Sequence, residues 1–259
     1  MKLAALQMQA VSGNVETNLA RIEAAAREAS TNGADMLVVP ELAVSGYGAA
    51  EAFHRLACEA VGPIPERLST IARDNAIAVI AGFPERAAGS IYNSALFTDG
   101  KGSSVVYRKS HLYGDYERSW FRPDIPSSVL ITVNGINLGM LICYDVEFPE
   151  NVRRLAQAGA DLVVVPTALP KGSSGLMIAE HMIRVRAFEN QVFVAYINHC
   201  GTDGTFSYAG LSCIAAPDGA FLAQAPSEGE RLLFATIRPQ DFARSRSENT
   251  YLADLVRQI

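Results

Sequence analysis

Apolar and polar positions along the chain fall into short buried runs separated by amphipathic stretches. Leu3–Met8 alternates and predicts a first strand. From Glu16 to Thr31, Leu19, Ile22, Ala26 and Ala29 recur at helical spacing, and Gly33 closes that helix. Asp35–Pro40 is a short continuous apolar run that delivers Glu41. After the glycine-rich Ser45–Gly48, the pattern predicts helices over Ala49–Ala60 and Pro65–Asn75 and a buried strand over Ile77–Phe83. Ile91–Phe97 is expected to pair with Ser103–Tyr107 through Asp99-Gly100, and Val129–Val133 with Ile136–Ile142 through Asn134-Gly135. Between these hairpins Arg108–Ser128 has no period and reads as a long polar loop. Loops of that length in compact domains are functional or disordered, and the aromatic content of this one argues against disorder.

The second half repeats the scheme. Pro149–Ala158 reads as a helix opened by proline and stopped by Gly159, followed by a strand over Asp161–Pro166 that ends at Thr167. A flexible loop is expected at Lys171–Gly175, a helix over Leu176–Asn190 and a strand over Val192–Asn198. Leu211–Ala216 and Ala220–Ala223 flank the turn Pro217-Asp218-Gly219, Arg231–Ile237 is a last strand, and the tail is polar with a short helical end. Gly33-Ala-Asp-Met-Leu-Val-Val-Pro40 is echoed by Gly159-Ala-Asp-Leu-Val-Val-Val-Pro166, each after a helix. This predicts two similar halves with no linker, one domain over residues 1–259. Strands that read as unbroken apolar runs are buried on both faces. Two sheets packed face to face with helices outside bury them all: an α+β, four-layer αββα sandwich with internal pseudo-twofold symmetry.

Composition narrows the function classes. A hydrophobic content of 49% supplies a sizeable core, and a net charge of −5 without any Lys/Arg cluster argues against a nucleic-acid or membrane partner. Cys58, Cys143, Cys200 and Cys213 lie far apart, in no zinc-like or disulfide-scaffold spacing, so no metal is expected. The N-terminus lacks an apolar leader, and no run approaches a membrane span. The expectation is a soluble, cytoplasmic protein.

Candidate chemistry gathers at strand ends. Gly139–Cys143 is an apolar run ending in a thiol just before the helix at Pro149. Backbone N–H groups there can stabilise a thiolate or an oxyanion. Two further runs deliver Glu41 and Thr167. If the three strands are parallel neighbours, all three residues emerge at one sheet edge, where ligands of α/β sheets collect. The long loop can bring Lys109 there. A carboxylate can replace histidine as the base for a thiol when burial brings their pKa values together, and an ammonium can hold the oxyanion. Taken singly, Cys143 could be a small core residue, Glu41 a chain cap and Lys109 a solvated charge. The spacing to Pro149 excludes a Cys-x5-Arg phosphatase loop, and no Cys/His signature of a papain-like protease is present. A binding protein that kept the sandwich should lack one of Glu41, Lys109 and Cys143, and all are present.

Pro40-Glu41, Tyr107-Arg-Lys109-Ser-His-Leu and Cys143-Tyr-Asp-Val-Glu-Phe-Pro-Glu150, in that order, resemble the three signature segments of the nitrilase superfamily of carbon–nitrogen hydrolases. The resemblance extends through Val165-Pro-Thr-Ala168, Arg186-Ala-Phe-Glu-Asn190, Asn198, Gly210-Leu-Ser212 and Pro217-Asp-Gly219. It implies an αββα sandwich that forms a homodimer through a helical face and needs no cofactor. It implies that Glu41 is the general base, that Lys109 and the Tyr144 N–H hold the oxyanion, and that Cys143 attacks to form a thioester. It implies that Glu117 orients Lys109 and the substrate; His111, inside the motif, reads as a structural hydrogen-bonding residue. Tyr47, Tyr144, Glu147, Thr167 and Ala168 are the candidate substrate-binding residues. True nitrilases of the superfamily typically carry Trp-Glu after the cysteine, whereas Tyr144-Asp145 resembles the amidase branches. Relatives that bind acidic substrates tend to carry arginine where this chain has Val146-Glu147. The expectation is therefore an amidase for small aliphatic or amino-acid-like amides, water being the second substrate; nitrile or N-carbamoyl hydrolysis on the same fold is the alternative.

Overall fold

The computed structural model of the protein describes residues 1–256; the last three residues of the expected helical tail lie outside the described residues. Two six-stranded mixed sheets form its centre. The first contains β1 (Lys2–Gln7), β2 (Met36–Val38), β3 (Ala78–Ala87), β4 (Ser90–Thr98) and β5 (Ser104–Arg108). The second contains β6 (Leu130–Val133), β7 (Ile136–Met140), β8 (Leu162–Thr167), β9 (Phe193–Asn198), β10 (Cys213–Ala215) and β11 (Phe221–Gln224). The last strand, β12 (Arg231–Thr236), returns to the first sheet and pairs antiparallel with β1.

The strand orders β12-β1-β2-β3-β4-β5 and β6-β7-β8-β9-β10-β11 superimpose the halves, with the echoed segments at β2 and β8. In each sheet the three strands around the echo are parallel and the outer pairings antiparallel. The hairpin turns follow their sequence signals. Asn134 and Gly135 both take positive φ, 47° and 77°, as a two-residue type I′ connection requires.

Alternation decides the layers. Leu3, Ala5, Met36, Val38, Ala78 and Ile80 point into the inter-sheet core, where the second sheet's inner residues meet them. Their neighbours Ala4, Leu37, Val39, Val79 and Ala81 pack against α1 (Val15–Thr31), through Leu19, Ile22, Ala26 and Ala29, and against the helix Pro63–Asp74. Asn14 caps α1, its side chain accepting from Thr17 N at 3.1 Å. On the other side Pro149–Gln157 and Ile183–Asn190 cover the second sheet through Val152, Leu155, Ile183 and Ala187. The fold is the expected α+β arrangement of helices outside two facing sheets. Among the described residues no helix is long and apolar enough to cross a membrane.

Three local expectations are corrected. Ala49–Ala60 is not one helix: a 3₁₀ turn, Tyr47–Ala52, runs into the four-residue helix α2 (Phe53–Leu56), and Ala57 is already extended. The packing of Phe53 against Phe121 and Trp120 overrides the alanine propensity here. The loop Arg108–Ser128 contains a helix, Gly114–Trp120, that carries Glu117. Lys171–Gly175 is not all loop, since Ser173 opens a helix that continues through a π turn at Ile178–Met182 to Asn190.

Candidate active site

Glu41 follows β2, and the chain must cross the inner face of β3 to place it. Gly82 permits that crossing. It shares the inward parity of Ala78 and Ile80, and a Cβ there would lie 2.2 Å from Leu42 N and 2.8 Å from Glu41 C. Leu42 itself sits at φ 49°, left-handed backbone that a non-glycine residue holds only where its surroundings impose it. Gly82→Ala is therefore expected to lower stability by at least about 1–3 kcal/mol, because the clash is with backbone that cannot rotate away. Denaturant titration measures that loss. An unchanged midpoint would show that the crossing tolerates a methyl group.

Asn93 on β4 and Lys109 just after β5 share the inward face with Ala95, Phe97 and Tyr107. Asn93 Nδ2 donates to Glu41 Oε1 at 2.6 Å, and Lys109 Nζ donates to the same oxygen at 2.7 Å. Lys109 Nζ also donates to Glu117 Oε1 at 2.6 Å. Glu117 is held in turn by the Tyr47 hydroxyl on Oε1 at 2.8 Å and by Tyr113 N on Oε2 at 2.9 Å. Its place in the first turn of a helix suits a carboxylate, whose charge faces the positive end of the helix dipole. His199 fixes the backbone of Glu41, donating from Nε2 to Glu41 O at 2.7 Å. Burial lowers the His199 pKa, so it acts there as a neutral donor.

Cys143 comes from the other sheet. Leu141 and Ile142 prolong β7, and Cys143 opens a 3₁₀ turn, Cys143–Glu147, at φ 45°. The expected meeting of three parallel strands at one edge is thus corrected. Cys143 and Thr167 end neighbouring parallel strands, but Glu41 ends a strand of the facing sheet. The site lies between the sheets, where their carboxyl ends meet. A parallel bridge between Met8 and His199 joins the sheets there.

Glu41, Lys109 and Glu117 have no exposure, and Cys143 keeps 6%. Two carboxylates and one ammonium thus share a site without solvent. Burial drives the Glu41 carboxyl up to about 7, against the lowering effect of Lys109, and the neighbouring Glu117 charge adds to the rise. Burial lowers the pKa of the Lys109 ammonium, but Glu117 and Glu41 outweigh it and hold the group charged, well above its ordinary range. Burial and the Glu41 charge push the Cys143 thiol well above 9, with partial relief from Lys109 and the Ala168 N–H. The sulfur therefore rests as a thiol. Glu41 Oε2 is buried with no hydrogen-bond partner among the described residues. It is a free acceptor on a carboxyl poised near neutrality. Lys109 has three donors and spends two on the carboxylates, leaving one for a substrate oxygen.

The remaining candidates are placed unevenly. Tyr47 is buried behind Glu117, its ring edge-on to Phe206 and Tyr208. Tyr144 is the second residue of the 3₁₀ turn, where leading N–H groups lack acceptors inside the turn, and its ring packs on Tyr113 and Phe148. Thr167 is buried with its hydroxyl donating to Val165 O at 3.0 Å, so that donor is committed within the chain. Ala168 is buried beside the thiol. Glu147 is half-buried and makes no side-chain hydrogen bond or ion pair among the described residues. Burial raises its pKa to about 7 while Lys109 and Arg186 oppose the rise. His111 stacks on Phe148 at 4.0 Å. Tyr116 and Trp120 pack within the loops, the first against the Tyr47 carbonyl and the second against Phe53 and His54. Cys200 and Cys213 are buried and Cys58 half-buried, all free.

Sequence reasoning missed Asn93 and His199. Asn93 lies two residues after Ile91 on a strand face otherwise apolar, and a polar residue at an inward position was the available signal. Among the described residues no cluster of His, Cys, Asp and Glu could hold a metal ion.

This arrangement recurs in known proteins. The family model for carbon–nitrogen hydrolases matches residues 2–247. A hydrolase encoded in the pqqF 5′ region of Pseudomonas protegens is 43% identical over 259 residues, covering 98% of this chain and 88% of its own. An (R)-stereoselective amidase of a Pseudomonas species is 33% identical over 258 residues, covering 98% and 91%. The amidase of Nesterenkonia sp. AN1, solved as a cysteine-to-alanine mutant with butyramide, superimposes with a TM-score of 0.87 at 34% identity, over 98% of this chain and 93% of that one. A match across both sheets and every segment that feeds the buried site leaves one assignment: the chain belongs to the carbon–nitrogen hydrolases of the nitrilase superfamily, enzymes that hydrolyse carbon–nitrogen bonds.

Proposed function

We propose that the protein is an amidase that hydrolyses small aliphatic or amino-acid-like amides to the carboxylic acid and ammonia through a thioester on Cys143. The observation that carries this reading is the free Oε2 of a carboxyl with a pKa of about 7, set in one buried site with a thiol and an ammonium. As Sγ attacks the amide carbonyl carbon, Glu41 takes the thiol proton. The oxyanion forms against the third Lys109 donor and the Tyr144 N–H. Glu41 returns the proton to the nitrogen, and the carbon–nitrogen bond breaks to release ammonia. Water then enters, Glu41 takes its proton, hydroxide adds to the thioester carbon, and the thiolate leaves and recovers the proton. Glu117, fixed by Tyr47 and Tyr113, keeps the ammonium aimed and charged. The amidase likeness and the butyramide bound to the Nesterenkonia protein support a small amide as substrate.

Glu147 sets the charge preference in this reading. Its unpaired carboxylate lies within electrostatic reach of Lys109, so an anionic substrate would be repelled and a neutral or amine-bearing amide accepted. Ammonia release from neutral, cationic and anionic amides, nitriles and carbamoyl compounds tests this. The expected order is cationic or neutral amides first. Glu147→Gln should lower the cationic-to-neutral ratio of kcat/KM by roughly tenfold, the scale of one lost charge contact. A clear preference for anionic amides, nitriles or carbamoyl compounds would reject the reading.

A further inference from the structure

Glu41 and Lys109 stand on one sheet and Cys143 on the other, so their spacing depends on the register of two sheets. Apolar packing between sheets is non-directional and does not by itself set a side chain to within half an ångström. His199 and Ser212 tie the sheets through Glu41 O and Gln7, and Asp145 supplies the directional link between the Lys109 and Cys143 segments themselves. Its carboxylate is buried, and its donors come from both sheets. Oδ1 accepts from Ser110 Oγ at 2.8 Å, His111 N at 2.8 Å and His111 Nδ1 at 2.9 Å. Oδ2 accepts from Tyr107 OH at 2.9 Å, Ser110 N at 3.4 Å and Ile142 N at 3.2 Å. Ser110 is the residue after Lys109, and Ile142 is the residue before Cys143. One carboxylate thus clamps the immediate neighbours of both groups.

The turn is braced elsewhere as well. Asn151 Nδ2 donates to Asp145 O at 2.8 Å, and Arg186 donates to the Val146 and Glu147 carbonyls at 2.9 Å and 2.7 Å. A cysteine at φ 45° needs such over-determination. Tyr144 and Phe148 touch the facing sheet's Lys109 segment through ring packing on Tyr113 and His111, but among the described residues only Asp145 hydrogen-bonds to it from this turn.

We propose that Asp145 is a positioning residue that fixes the distance and aim of Lys109 relative to Cys143 by bridging the two sheets at the site. The proposal rests on the assignment of Cys143 and Lys109 as reacting groups. Asparagine is no substitute, because it replaces one acceptor oxygen by a donor that would face the backbone N–H groups already aimed at it.

The test compares Asp145→Asn with the double variant Tyr107→Phe/Ser110→Ala, which keeps the carboxylate and removes its hydroxyl donors on the Lys109 side. Turnover, KM, melting temperature and the rate of Cys143 alkylation by iodoacetamide, read by intact mass, are measured for both. Asp145→Asn should lose about 100-fold in kcat with KM within about threefold, the scale of a small misplacement of reacting groups. Alkylation should slow at least about tenfold with it. The double variant should show the same split at about tenfold, and decides the matter if Asp145→Asn does not fold. Folded variants with kcat and alkylation within threefold of the parent overturn the proposal, as does a loss carried by KM alone. Cys143→Ala runs alongside: if it retains turnover, the nucleophile assignment falls, and this proposal with it.

Discussion

Cys143→Ala is expected to abolish ammonia release, with kcat falling by roughly 10⁵-fold or more, the loss seen when a nucleophile that acts as part of a unit is removed. The residue's exposure is 6%, and the backbone on either side of it is held, Val146 O by Arg186, Asp145 O by Asn151 and Ile142 N by the Asp145 carboxylate, so removing one sulfur leaves the turn in place. Melting temperature should change little, and a small amide should still bind. Intact mass should show an acyl adduct on the parent enzyme during turnover and none on the variant. Substantial residual turnover in a folded Cys143→Ala protein would mean that water is activated directly by Glu41, and the thioester would go.

Glu41→Gln should cost about 10²–10⁴-fold in kcat, the range for a positioned general base. The pH profile carries the sharper information. The base works only when ionised, and burial raises its pKa to about 7. In the parent enzyme kcat/KM should therefore climb tenfold per pH unit below neutrality, bend near 7 and level off above it. That limb should vanish in Glu41→Gln. Glu147 also titrates near 7, and Glu147→Gln separates the two because it should keep the limb whatever it does to affinity. Stability should follow with the opposite sign. A carboxyl whose pKa is raised on folding contributes fully below its unfolded value and loses that contribution as pH rises through about 7. The melting temperature of Glu41→Gln relative to the parent should thus be more favourable at pH 8 than at pH 5. A limb that survives in Glu41→Gln would remove Glu41 as the base.

A carboxylate oxygen left without a partner among the described residues, beside the likewise unpartnered Asn93 Oδ1 and His199 Nδ1, is what separates this site from a structural salt bridge. Lys109 between two carboxylates could serve stability alone, and a buried ion pair is weak evidence of function. Glu41 Oε2 changes that judgement. A buried oxygen with no donor costs free energy, and it is tolerated where a substrate or thiol proton will meet it.

Local pattern alone determined most of the elements and the candidates for the reacting groups. The period of Leu19, Ile22, Ala26 and Ala29, the Asn134-Gly135 turn and the echoed runs before Glu41 and Thr167 are encoded within a few residues, and the structure realises each of them. The order of Glu41, Lys109 and Cys143 along the chain was enough to recognise the superfamily. What needed tertiary structure was every relation between distant segments. That Glu41 faces Cys143 across two sheets, rather than beside it on one, follows from strand order, which no local period records. Asn93 and His199 are silent in sequence, and Asp145 shows there as a motif residue without its role, because their meaning is the partner they reach, at separations of 34 to 158 residues. The helix under Glu117 escaped notice because it is seven residues long and owes its stability to packing rather than to its own propensity. The pKa of Glu41 belongs wholly to the folded state, since burial, a shared ammonium and a second carboxylate exist only once both sheets have closed over the site.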